Sequence, residues 1–269
     1  MNSYFTFKTK NASGHAYRGR IEFSAGSLSN RAQLYLDSNS SGEIRTLDNI
    51  EIEITSFDPV SNASFSFPAF KGVVSQLAPR GDYIALEAVT VGSYLLVTPS
   101  SPTAWSNVSL RVVFMALLSA SKVSAASVRL PDGFGAQFLH VWETCGGSLS
   151  DEILALFASH LPGTMAFASF LGEIFVGDRD QLGELLQFWP FPSDAAGSPV
   201  GRGVVDPDAS TFSLRPACPH QVAYETDATS FLGTIDSVVH EIRPGRAETS
   251  VVLDRRPSPI LAAALARAA

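Results

Sequence analysis

One pattern occurs twice in this chain, and it limits the available folds more than any other feature. The segment Phe70-Lys-Gly72-Val-Val74-Ser-Gln-Leu77 leads into a Pro-Arg-Gly turn and then Tyr83-Ile-Ala-Leu-Glu-Ala. Far downstream, Phe231-Leu-Gly233-Thr-Ile235-Asp-Ser-Val238 leads into a Pro-Gly turn and then Glu248-Thr-Ser-Val-Val-Leu. Both read Phe-x-Gly-x-aliphatic-x-x-aliphatic, turn, strand. Only the run to the turn glycine differs, by three residues (Gly72 to Gly81 against Gly233 to Gly245). A glycine early in a long strand permits a bulge or a tight bend, which is how a small barrel turns a corner. Two such hairpins predict two related small β-barrels.

The texture around the repeat agrees. Ile50, Ile52 and Ile54 alternate with Glu51, Glu53 and Thr55, which sets the isoleucines on a buried face and the acids on a wet one. Strands are also expected over Arg31 to Leu36, Glu43 to Leu47 and Ser93 to Pro99, with a five-residue hairpin loop at Ala78 to Asp82. After a linker at Ser100 to Ala104, Ser106 is the expected N-cap of a helix running to Ser121. Leu110, Val113, Phe114, Leu117 and Leu118 form its apolar face. A second helix starts near Ser148, where Ser148-Leu-Ser-Asp151 fits a capping box, and Pro162-Gly163 stops it. Thr164 to Phe170 and Glu173 to Val176 read as a hairpin. Residues 189–209 read as a second linker. Strands are expected again at Thr211 to Leu214, Gln221 to Glu225, Gly233 to Ile242 and Glu248 to Leu253, and the Ala-rich tail from Ile260 as a short helix.

Composition narrows the function. Only 17% of the 269 residues are charged, against roughly 25% in globular chains, and the net charge is −7 with 4 Lys beside 15 Arg. Disorder and a sticky nucleic-acid binder both need more charge. The longest apolar run, Val112 to Leu118, is seven residues, and a membrane helix needs about 20. The N-terminus shows no signal-peptide pattern, so the Asn-x-Ser matches at Asn11, Asn62 and Asn107 are read as chance. Two cysteines, Cys145 and Cys218, do not make a disulfide scaffold.

Catalytic signatures are sparse. No Gly-x-Ser-x-Gly, His-Glu-x-x-His or Walker-type loop occurs around the histidines at 15, 140, 160, 220 and 240. Gly201-Arg-Gly203 lacks the lysine and helix of a phosphate cradle. Cys218-Pro-His220 with His140, Glu143 and Cys145 has irregular spacing for zinc. Glu173, Asp178 and Asp180 are too sparse for a calcium loop and read as solvated turn acids. His240 reads as a packed strand histidine. No catalytic, cofactor or metal residue is expected, and the chain is not read as an enzyme.

The order of these segments resembles the tail hub, or baseplate hub, proteins of tailed bacteriophages and related contractile injection systems. Phe70-Lys-Gly-Val-Val with Tyr83-Ile-Ala-Leu-Glu-Ala is similar to that family's first-barrel hairpin. Asn107 to Leu118 resembles the helix opening its middle domain, Gly147 to Phe157 with Leu171 to Val176 its helix and following hairpin, and Gly233 to Leu253 its closing hairpin. The segment Val123 to Glu143 has no counterpart. The resemblance implies an α+β, mainly β chain with two small tube-like antiparallel β-barrels flanking an inserted α/β unit. Residues 1–100 would form the first barrel region, 105–188 the insert, 205–255 the second barrel region, completed by strands from the N-terminal part, and 256–269 a tail.

It further implies a virion protein assembled in the bacterial cytoplasm. Three subunits with two barrels each would meet a sixfold tail tube ring and adapt it to a threefold central spike or tip, with distal tail and tape-measure proteins as further partners. In such a channel Glu51 and Glu53 would face the lumen as acids that repel DNA, and Gly72 and Gly233 would sit at strand bends. Two other classes share the strand content: a jelly-roll capsid subunit, which lacks a reason for two capped helices in mid-chain, and a carbohydrate- or receptor-binding β-sandwich, which needs an exposed aromatic platform.

Overall fold

The computed structural model describes residues 2–24, 27–37, 43–58, 63–121, 123–124, 126, 128–169, 172–178, 189–191, 202–205, 221–226 and 229–254. Strand content dominates, as the alternation at Ile50 to Ile54 requires. Three N-terminal strands, β1 (Asn2–Lys8), β2 (Ser13–Ala16) and β3 (Gly19–Ser24), are followed by β4 (Arg31–Asp37), β5 (Asn49–Asp58), β6 (Ala63–Arg80) and β7 (Tyr83–Val89). All seven join one sheet in the order β3-β4-β7-β6-β5-β1-β2. The sheet curls so that alternate side chains meet inside. Phe5, Phe7, Ile21, Leu34, Leu36, Ile50, Ile52, Phe70 and Leu86 are buried there. Each fully buried side chain of this size contributes up to about 2–3 kcal/mol relative to exposure.

The mid-chain unit holds α1 (Ser93–Val97), β8 (Ala104–Ser109), α2 (Leu110–Ser119), β9 (Val128–Arg129), β10 (Phe138–Glu143), α3 (Leu149–His160), β11 (Thr164–Ala168) and β12 (Ile174–Asp178). It has its own core, in which Leu110, Val113, Phe114 and Leu117 of α2 meet Leu149, Ile153, Leu156 and Phe157 of α3. The capping box at α3 forms as the sequence requires: Asp151 N–H donates to Ser148 Oγ at 3.1 Å, and Ser148 N–H donates back to Asp151 at 3.3 Å. A buried polar knot ties this unit to the first sheet. Asn30 Oδ1 accepts from Ser24 N–H, its side-chain amide donates to the Ala168 carbonyl, and its backbone N–H donates to Thr90 Oγ1.

The remaining strands are β13 (Trp189–Phe191), β14 (Arg202–Val205), β15 (Gln221–Thr226), β16 (Thr229–Arg243) and β17 (Arg246–Asp254). They continue the first sheet, because β16 pairs with β3 in antiparallel register from Ser237↔Ser24 to Ile242↔Gly19. Among the described residues the result is one twelve-strand sheet. Val238 and Ile242 enter the same core as Phe5 and Phe7.

Several expectations are corrected. The stretch Ser93 to Pro99 is not a strand: its first five residues form the helix α1 and Pro99 makes a single bridge to Ser148. The chain turns at Gly92, where a Cβ would lie 2.4 Å from the Leu28 carbonyl, and Ser93 Oγ donates to the Thr90 carbonyl. Ser106 lies within β8, and the helix starts three residues later with Ser109 as N-cap, because β8 is recruited by β10 through Trp105↔Trp142 and Leu139↔Val108. Glu43 to Leu47 forms no strand: Leu47 has φ +74, and Arg45 N–H donates to the Asp48 carboxylate in a turn. The first hairpin loop has two residues and not five, since β6 runs on to Arg80 and pairs it with Tyr83. The 189–209 linker contains β13 and β14, each too short to show a period. The unmatched 123–143 segment supplies β9 and β10. Thr211 to Leu214, Cys218, His220, Asp180 and the tail from 255 lie outside the described residues.

Candidate functional site

The duplicated strand is the feature the sequence singled out, and its two copies share one construction. In the first, the N-terminal half of β6 pairs with β5 and its C-terminal half with β7. In the second, the N-terminal half of β16 pairs with β15 and the remainder with β17. Gly72 lies opposite Ile50 and Gly233 opposite Val222. The register then slips between Val74 and Gln76 in one copy and between Ile235 and Ser237 in the other. The bulged residues, Ser75 and Asp236, each stand three positions past their glycine. Such a bulge bends a strand and raises its twist. β6 carries a second bulge, at Ala69 beside Pro68.

Both hairpins close on two residues. Gly81 takes φ +66 in the first and Gly245 φ +77 after Pro244 in the second. The Pro-Gly order suits a turn whose second central residue needs positive φ. Gly72 is required for a different reason. A Cβ there would lie 2.2 Å from the Val89 carbonyl and 2.7 Å from the Phe70 ring. β7 and Phe70 approach this backbone closely because it carries no side chain.

Glu51 and Glu53 stand on the outer face of β5, away from the core, as the alternation predicts. Glu51 is not a bare acid. Lys71, directly opposite on β6, donates to it at 2.8 Å, and Lys8 faces it from β1. The Lys71 hydrogen bond and charge hold the Glu51 carboxyl below its ordinary pKa, with a small further push from Lys8. Glu53 accepts from Ser66 Oγ at 2.7 Å. A row Lys8-Glu51-Lys71 therefore crosses three strands, with Thr6-Glu53-Pro68 beside it.

Other candidates are placed apart. His140 and Glu143 on β10 and Cys145 after it are exposed. Glu173 is ion-paired with Arg129 at 2.7 Å. Among the described residues, no three His, Cys, Asp or Glu side chains converge on a point that could hold a metal ion. His240 points into the core of the joined sheet, between Ile21 on β3 and Thr249 on β17, and burial pushes its pKa down to about 4. The exposed Tyr17 and Tyr83 and their half-buried neighbours Tyr4 and Tyr35 do not build a flat platform: Tyr4 and Tyr17 meet at 51°, Tyr35 and Tyr83 at 68°, and Arg18 covers the Tyr35 ring.

The sequence carried no sign of Glu152, a buried carboxylate that organises the insert's entry. It accepts from Cys145 N–H at 2.7 Å, Gly146 N–H at 3.1 Å and Ser100 Oγ at 3.2 Å. Only its place next to the Asp151 cap in α3 hinted at anything, and that position more often faces solvent.

No family model matches this chain, and no curated protein matches it by sequence. Solved structures do. The 43 kDa tail protein of prophage MuSo2 from Shewanella oneidensis superposes with a TM-score of 0.64 at 10% identity, over 94% of this chain and 98% of that one. The tail protein of Neisseria meningitidis MC58 gives 0.66 at 8% identity, over 94% and 96%. The E. coli c3393 protein, a type VI secretion component described as similar to the T4 phage tail proteins gp27 and gp5, gives 0.56 at 9% identity, over 93% and 76%. A mainly β chain with a duplicated bent strand and a helical insert thus has the fold of phage tail proteins.

Proposed function

We propose that this chain is the structural hub of a phage tail tip or baseplate. It acts as a homotrimer that adapts a sixfold tail tube to a threefold central spike or tip, and it lines the channel through which DNA is ejected. The observation that carries this reading is the duplicated strand, with glycine, bulge and two-residue turn in the same order in both copies. A chain that repeats one β unit lets three subunits offer six equivalent positions, which a sixfold ring needs. The tail-protein fold of the solved structures gives the setting. The role is one of assembly, without catalysis or sequence-specific nucleic-acid binding. Its partners are other copies of itself, the tube ring, the spike or tip, and distal tail and tape-measure proteins. Its place is the virion, after assembly in the bacterial cytoplasm.

Mass photometry of the purified chain tests this. A species of three times the 28.7 kDa subunit mass is expected, and a monomer at every concentration overturns the reading. Within it, Glu51 and Glu53 belong to the channel wall. Because Lys8 and Lys71 flank Glu51, that wall is a mixed, balanced surface over which DNA slides without finding a cationic patch. Particles carrying Glu51→Lys and Glu53→Lys are expected to eject DNA more slowly. Ejection at the unaltered rate removes the two acids from the lumen.

A further inference from the structure

The two copies of the bent strand are built alike but covered differently. β16 pairs with β17 along one edge and, from Ser237 to Ile242, with β3 along the other. Aligning Gly72 with Gly233 sets Leu77 at the position of Val238 and Pro79 at that of His240. β6 pairs with β7 along the edge that corresponds to the β17 side, as far as Arg80. On its other edge, pairing with β5 stops at Val73, and among the described residues only two backbone bonds, between Val74 and residues 47 and 48, lie beyond it. Among the described residues, no strand pairs with that edge from Ser75 to Arg80.

The ladder's phase says which groups the edge presents. Arg80 and Tyr83 flank the two-residue turn and exchange backbone bonds, so alternation turns the backbone groups of Leu77 and Pro79 away from β7. The same count from Arg243↔Arg246 turns those of Val238 and His240 away from β17, and there they meet Phe23 and Ile21 of β3. Leu77 therefore offers an N–H and a carbonyl outward, and Pro79 a carbonyl alone. Ser75, Gln76, Pro79 and Arg80 are exposed, and Leu77 is half-buried with its side chain against the core.

We propose that this edge of β6 is filled by a strand from the C-terminal β unit of a second copy of this chain. That contact reproduces between copies the β3–β16 pairing that joins the two β units within one copy. The inference rests on the hub reading and names the seat of its subunit contact. The occupant follows from the duplication: within the chain, the equivalent edge of one β unit is filled by a strand of the other. Repeating that contact head to tail builds a ring. An open edge with a full set of donors invites indiscriminate strand addition. Pro79 removes the donor that His240 supplies in the other copy, so the edge accepts a short strand and does not template an extended ladder.

Amide hydrogen exchange on the full chain, resolved to single residues and compared between the assembled state and the diluted monomer, tests the assignment. The Leu77 amide is expected to exchange at least tenfold more slowly in the assembly, while the Val238 amide is slow in both states. An assembly in which Leu77 exchanges like an exposed loop overturns the edge assignment and leaves the hub reading standing. A chain that never assembles overturns the hub reading, and the edge assignment with it.

Discussion

A methyl group added at Gly72 has nowhere to go, because the nearest atom, the Val89 carbonyl oxygen, belongs to a paired backbone and cannot swing aside as a side chain would. Gly72→Ala should lower stability by about 3 kcal/mol, near the top of the range for overpacking. Gly81→Ala should cost only about 1–2 kcal/mol, because its burden is a positive φ of +66 with open space around it. Urea midpoints of the two variants separate close approach from backbone strain, and equal losses would contradict this division. The sequence showed the glycine at its repeated spacing. It could not show that a carbonyl from another strand presses on it. His240 makes a similar contrast. Its inward position follows from alternation with Val238 and Ile242, but its depth depends on β3 packing across it. Its folded pKa of about 4 lies below the ordinary 6.5. The unfolded chain therefore takes up this proton first as pH falls. Stability from this group is whole above pH 6.5 and is lost progressively toward pH 4, by at most roughly 3 kcal/mol. Urea titrations between pH 7 and 4.5 should show a shallower decline for His240→Gln than for the unaltered chain. Parallel declines would exclude the histidine as a source of acid sensitivity.

Elements with a local signature were readable from the sequence, and elements made by distant pairing were not. α3 carries its own start signal in Ser148 and Asp151, and the apolar faces of α2 and α3 meet as their spacing requires. β8 lacks such a signal. Ser106 resembles an N-cap as well as Ser109 does, and only pairing with β10, some thirty residues on, extends the strand to Ser109. Glu152 belongs with these long-range features, since its three donors come from the chain before and after β8 and β10. Removing it leaves the Cys145 and Gly146 amides without their acceptor. Glu152→Ala should cost about 2–3 kcal/mol, and the exposed Cys145 should react faster with a thiol reagent as its turn loosens. Alkylation rates on folded protein measure this, and an unchanged rate would show the turn to be held by the Gly147 and Thr144 backbone bonds instead.

Among the described residues the buried side chains form two cores, and the division does not follow chain order. One core collects the N-terminal strands together with Val238 and Ile242 from near the other end; the second belongs to the insert. The repeat predicted two β units and an insert between them. The family resemblance adds N-terminal strands to the second unit, but neither it nor the repeat singles out β3, because residues more than two hundred positions apart leave no trace of their pairing in local periodicity. That sharing has a thermodynamic consequence. Ile21 is fully buried on β3 and pairs with Ala32 on one side and with His240 on the other. Ile21→Ala should therefore cost about 2–5 kcal/mol and raise exchange of the Phe5 and Val238 amides together, because both belong to one cooperative sheet. Ile153→Ala removes a similar volume from the insert's core and should raise exchange along α3 first. If Ile21→Ala frees β1 while β16 keeps its protection, the two β units are separate folding units that merely touch. The single sheet would then be a contact formed after each had folded.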